Sequence, residues 1–290
     1  MSSAYKPSPR PTSDGPAAIR YGSVTRHLWG DEEAGEVADW IYVSSDRIHQ
    51  LVYGLPPGGA FRHSDSFRTV FAADVVYYVL SGTLVIANPD SGEVQRLNPG
   101  EAAFFRRDTW HHAFNYSTDP LRVLEFFAPP PSQGTSGAYA RAQPYLEISR
   151  YSRDGWLERW PEAAAEELTS RTIHPIRNAD ILWHLQGKDR PLLVGLLVST
   201  EHLTVGRIDL LPGQRSEPEC HGGDEALYVL SGAIHVRPGG ESGPGWLELS
   251  ERDGCYLPAG TPHQYYNIGG EPASLLFGVA PTYRCTCEGS

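Results

Sequence analysis

Nowhere in these 290 residues does an apolar run reach the roughly 18 residues that a membrane-spanning helix needs. Basic residues are in the minority: 24 lysines and arginines stand against 35 aspartates and glutamates, a formal net charge of -11. Nucleic-acid binding depends on a basic surface that displaces counterions, so no nucleic-acid partner is expected. The opening MSSAYKPSPRPTSDGP lacks the apolar core of a secretory signal. The four cysteines, Cys220, Cys255, Cys285 and Cys287, are too sparse and unevenly spaced for a disulfide framework, so a reducing, cytoplasmic setting is expected. Cys285-Thr-Cys287 offers two thiols, which alone close no metal site. Helical periodicity is also missing from both halves of the chain.

What remains is β pattern. Short β-branched and aromatic runs broken by turns (WIYVSS, HQLVYGL, VVYYVLSGTLVIA, AAFFRR, LRVLEFF) fill residues 21–130, and similar runs (LLVGLLVST, LTVGRIDLL, ALYVLSGAIHV, GCYLPAG, SLLFGVA) fill residues 176–284. Residues 1–20 read as a mobile arm able to order against a neighbour, and 285–290 as a tail. Residues 131–175 read as a linker holding a short helix at Trp160-Pro161-Glu162 and the following Ala-Ala-Ala-Glu-Glu-Leu. With 40% hydrophobic residues the chain has material for two ordinary cores. The expected fold is all-β: two small jelly-roll or sandwich units in tandem.

The two units are related. Tyr-Val-Leu-Ser-Gly occurs at Tyr78 to Gly82 and again at Tyr228 to Gly232; each copy follows a Pro-Gly turn (Pro57-Gly58, Pro212-Gly213) and precedes a His-x-x-x-Asn element (His111 to Asn115, His263 to Asn267). The glycines are 150 residues apart and the histidines 152, so one unit was duplicated with almost no net insertion between its landmarks.

The segment PGQRSEPECHGGDEALYVLSG, followed by YLPAGTPHQYYN, resembles the two motifs of the cupin superfamily. His221, Glu225 and Gly232 fit the first, while Pro258, Gly260, His263 and Asn267 fit the second. The resemblance implies a bicupin: two jelly-roll β-barrels, a small-molecule substrate, and the homodimers that cupins often form. Alternate strand residues share a face, so Glu219 and His221 project inward while Cys220 points away. With Glu225 and His263 they make a nitrogen and oxygen set for one divalent metal per chain, Fe(II) or Mn(II) first, Ni(II) or Zn(II) next. Glu219, where the family has histidine, is read as fourth ligand or as catalytic base, with the ligand role favoured. Arg252 replaces the family's turn glycine.

The N-terminal copy puts Val75 where the ligand glutamate belongs. A substitute set, His63, Asp65, Asp74 and His111, is the candidate for a second metal, and Arg106, Arg107, Trp110 and His112 for a metal-free pocket. Tyr266 and Arg207 are taken as catalytic candidates, the tyrosine to stack on a ring and the arginine to meet an anion. Resemblance to cupin dioxygenases implies an Fe(II) oxygenase. The order Glu219-x-His221-x-x-x-Glu225 also resembles (S)-ureidoglycine aminohydrolases, implying redox-neutral Mn or Zn chemistry (aminohydrolase, isomerase or decarboxylase), and a non-catalytic binding protein is the third reading.

Overall fold

The computed structural model describes residues 9–11, 13–31, 34–62, 73–106, 109–130, 171–239 and 245–284. The β-branched and aromatic runs form antiparallel strands, as their alternation of inward and outward residues requires. The first half holds β1 (Ala17–Ile19), β2 (Thr25–Asp31), β3 (Gly35–Ser44), β4 (His49–Leu55), β5 (Ala60–Arg62), β6 (Asp74–Ser81), β7 (Leu84–Ala87), β8 (Val94–Leu97), β9 (Ala102–Phe105), β10 (His112–Asn115) and β11 (Leu121–Ala128). The second holds β12 (His174–Ile176), β13 (Leu182–Gln186), β14 (Leu192–Ser199), β15 (Thr204–Leu210), β16 (Asp224–Ser231), β17 (Ala233–Pro238), β18 (Leu247–Ser250), β19 (Gly254–Leu257), β20 (His263–Tyr266) and β21 (Ala273–Ala280).

Each half pairs one seven-stranded sheet with a smaller one. The N-terminal unit has β12-β9-β6-β11-β4-β3-β2 against β5-β10-β7-β8, and the C-terminal unit β1-β19-β16-β21-β15-β14-β13 against β18-β17-β20. The repeated motif is β6 and β16, and its glycine closes the strand in a left-handed conformation, φ 77 at Gly82 and φ 75 at Gly232. A Cβ at Gly82 would lie 2.8 Å from the Leu121 backbone, so only glycine fits that turn.

Two short strands are exchanged between the units. Ala17–Ile19, within the segment expected to be a mobile arm, pairs with β19 of the C-terminal sheet. His174–Ile176, expected to fall at the end of the linker, pairs with β9 of the N-terminal sheet. Each covers a sheet edge that would otherwise present unpaired backbone donors and acceptors, which is the physical reason for the exchange. The helix expected at Trp160-Pro161-Glu162 lies outside the described residues.

The two large sheets pack face to face. On β6, Val75, Tyr77 and Val79 fill the N-terminal barrel, whereas Val76 and Tyr78 point outward to meet Leu197, Val205, Tyr228 and Leu276 of the other unit in one buried cluster. Polar pairs border it: Arg106 to Asp74 and Glu201, and Arg47 to Asp224. Among the described residues no helix is long and apolar enough to cross a membrane. Cys255 is a buried free thiol, but Cys220 is disulfide-bonded, against the expectation of reduced cysteines throughout. The backbone amides of Gly222 and Gly223 hold the carbonyls of Arg284 and Thr282, which lays residues 282–284 beside the segment that follows Cys220. Cys285 and Cys287 lie outside the described residues.

Candidate metal centre

Pairing registers bring distant ligands together inside the C-terminal barrel. Glu225 is the second residue of β16, His263 opens β20, and Glu219 is bridged backbone to backbone with His263, N to O at 2.9 and 2.8 Å. His221 follows two residues later on the same face. One ligand atom each from His221, Glu225 and His263 lies within 4.8 Å of the others, and all three residues are buried. His263 Nε2 stands 3.2 Å and His221 Nε2 3.8 Å from Glu225 Oε2. Two donors on one ion, each bound at roughly 2.1 Å, stand about 3 to 4 Å apart, so these separations suit a single divalent cation.

Both imidazoles are oriented by backbone carbonyls. His221 Nδ1 donates to Tyr283 O at 2.6 Å and His263 Nδ1 to Thr261 O at 3.0 Å, which leaves both Nε2 lone pairs facing Glu225. The Tyr265 hydroxyl donates to Glu225 Oε1 at 2.7 Å and lies 2.9 Å from His263 Nε2. Glu225 Oε2 has no hydrogen-bond partner although it is buried. A buried, unpaired carboxylate oxygen is costly, and two lone pairs aimed at it make a cation the natural occupant of this point. Burial holds His221 at about 4 and His263 at about 3, so both imidazoles are neutral at neutral pH, the form able to bind a metal. The same desolvation pushes the Glu225 carboxyl well above its usual range, which a bound cation would reverse.

Glu219 sits beside this set and outside the three-atom group. Its Oε1 is buried without a partner, 4.0 Å from His263 Nε2, while its Oε2 accepts from Gln186 Nε2. Tyr283 in turn donates to Gln186 Oε1 at 2.9 Å. Burial pushes the Glu219 carboxyl up to about 8.

The structure redirects two sequence expectations. Tyr266 does not enter the barrel: its hydroxyl donates to Gln264 and its ring packs on Trp246, whereas Tyr265 takes the inward place. Strand alternation from His263 reaches Tyr265 by a step of two, so this signal was present. Arg207 lies on the outer face of β15, paired with Asp209 at 2.8 Å, because Ile208 and Leu210 occupy the inner face. Gln186 and Tyr283 come from distant segments, and no motif marks them.

Of the substitute set in the N-terminal barrel, the described members Asp74 and His111 do not share a face. His63, Asp65 and Arg107 lie outside the described residues. Asp74 shares the outward face of Val76, where it binds Arg106 and the Thr200 hydroxyl, so it turns away from the interior that holds His111. Arg106 is thereby tied to the interface between units, and His112 alternates outward from Ala113. His111 is packed among Phe61, Tyr77 and Phe105, with Nε2 3.1 Å from the Tyr77 hydroxyl.

Polarity has instead moved deeper into that barrel. Register pairs Val79 with Val123 and Val123 with Tyr53, as Val229 pairs with Leu275 and Leu275 with Ile208. Asp39, Tyr53, Tyr77 and Glu125 thus correspond to Val194, Ile208, Leu227 and Phe277. Desolvation pushes both carboxyls, Asp39 and Glu125, well above the usual range.

Burial holds His111 at about 4, against 6.5 unfolded. Its stabilising neutrality is complete above pH 6.5 and drains as pH falls toward 4, because the unfolded chain takes up the proton first. Between pH 7 and 4 the wild type should lose up to about 3 kcal/mol more than His111→Gln in urea unfolding. Equal losses would contradict the burial of a neutral imidazole.

With the geometry established, the comparisons agree. Residues 54–127 and 206–279 each match the Cupin domain model, and the chain belongs to this family, in the two-barrel, bicupin form. A curated relative, polyketide synthase CurC of Streptomyces cyaneus, is 29% identical over 96 residues; the match takes in 33% of this chain and 60% of that protein's length. Among solved structures, a Pseudomonas aeruginosa protein described as glyoxylate induced has a TM-score of 0.66 at 17% identity, covering 94% of this chain and 91% of that one. Bacillus subtilis oxalate decarboxylase, studied for its Mn(II) centers, has a TM-score of 0.58 at 15% identity, covering 95% and 79%. At these identities the structural likeness speaks for the fold.

Proposed function

We propose that the C-terminal barrel is the active centre of a metal-dependent enzyme acting on a small polar metabolite, with the chemistry of an Fe(II)-type dioxygenase. The carrying observation is the convergence of two oriented imidazole Nε2 atoms on the buried, unpartnered Glu225 Oε2. A divalent ion held by His221, Glu225 and His263 would supply Lewis acidity and, with three protein donors, open positions for substrate and dioxygen. Tyr283 and Thr261 fix the imidazole tautomers, and Tyr265 steadies Glu225 through Oε1. Product formation should consume dioxygen in proportion and stop under argon. Full anaerobic turnover would overturn the oxygenase reading.

A redox-neutral reaction is the second reading, and Glu219 favours it. Its free Oε1 faces the ligand cluster while the Gln186–Tyr283 chain holds its other oxygen, a geometry suited to giving and taking a proton. In both readings Glu219 is an acid–base group outside the three ligands, in place of the fourth-ligand role favoured by its spacing. Glu219→Gln should keep its metal and lose turnover by about 100-fold or more. Loss of metal from that variant would return Glu219 to the ligand set.

A further inference from the structure

Both copies of the repeated Tyr-Val-Leu-Ser-Gly motif line a second cavity, of about 540 Å³, on the outer faces of the large sheets where the two units meet. Tyr78, Leu80 and Ser81 form one side, and Tyr228, Leu230 and Ser231 the other. It lies on the internal twofold relation of the duplication. Three arginines break that symmetry: Arg122, Arg207 and Arg252 stand in the wall opposite their register equivalents Ser274, Val52 and Gly100, which are wall residues too. Each cation is therefore peculiar to one copy.

Arg252 carries the strongest sign of a task. It is the one non-glycine residue with positive φ among those described, at φ 72, and it repeats the turn that Gly100 makes at φ 90. A bulky side chain in this conformation is strained, and such strain is held where the side chain is used. Its guanidinium lies 3.8 Å above the Tyr21 ring, and that of Arg122 lies 4.5 Å above Trp40. Neither forms an ion pair with a carboxylate among the described residues, whereas Arg207 is paired with Asp209. Ser274 Oγ and Trp40 Nε1, from lining residues of the two facing sheets, are buried without partners. One carboxylate, Glu251, also borders the cavity. Two flat, stacked cations with no carboxylate partner among the described residues, one donating to Leu121 O and the other bonded to Tyr228, with unpartnered neutral groups nearby, form an anion site with ring-binding walls.

We propose that this cavity binds a small organic anion with a flat ring, its charged group set between Arg122 and Arg252. The site is separate from the metal centre: Glu225 faces the barrel interior and Tyr228 the cavity, on opposite faces of β16 and roughly 10 Å apart along it.

Calorimetric titration of the full chain with benzoate, phenyl phosphate and uncharged benzyl alcohol tests this. One anion should bind per chain, at least tenfold more tightly than the alcohol, and the better of the two anions identifies the charged group as carboxylate or phosphate. Arg122→Gln and Arg252→Gly should each weaken it tenfold or more. Arg252→Gly should be at least as thermally stable as the wild type, since it restores the glycine that the turn prefers, so its loss of binding is not misfolding. His263→Ala should bind the anion unchanged. Absence of binding by either anion, binding indifferent to both arginine variants, or binding lost in His263→Ala would overturn the proposal.

Discussion

Glu225→Val is expected to give a folded protein with no bound metal and no activity. The N-terminal copy supplies the reason for both halves of that outcome: Val75 occupies the equivalent position, fully buried in an apolar barrel wall. A valine at 225 removes the carboxylate on which both imidazoles converge and also removes a desolvated acid from the interior. Urea unfolding should show stability within about 1 kcal/mol of the metal-free wild type, or above it, and elemental analysis should find no ion. Metal retained by this variant would show that the three-donor set is not the site.

Phe126→Ala is expected to cost about 3 to 5 kcal/mol, the range for deleting a fully buried phenyl ring. Phe126 is entirely buried in the cluster that joins the two sheets, and there is no room for a Cβ at Gly278 of the opposite sheet because the ring lies against that backbone. The loss should appear as a lower urea midpoint. A cost below about 1 kcal/mol would mean that the sheets do not depend on each other for stability.

The duplicated motif made the fold legible, because a repeat with fixed spacing and β alternation leaves few architectures open. The clustering of His221, Glu225 and His263 was legible for the same reason: each sits at a fixed distance from a glycine turn. Tyr265 was within reach of strand alternation, but Tyr266 was favoured for its ring alone. Gln186 and Tyr283 reach the site from β13 and from beyond β21, and only the order of strands in the sheet brings them there. Arg207 needed a choice of face, which depends on which neighbours fill the barrel. Asp74 turns away from His111 for the same reason, since one step along β6 places it on the interface between units. The exchange of β1 and β12 answers exposed sheet edges, a need that no local pattern records.

Metal stoichiometry, measured by elemental analysis of protein purified without chelator, tests the central claim most directly. About one divalent ion per chain is expected, retained by His111→Ala and lost from His263→Ala. A wild type without bound metal, or an ion that survives in His263→Ala and leaves with His111→Ala, would contradict the assignment of the C-terminal barrel as the metal centre.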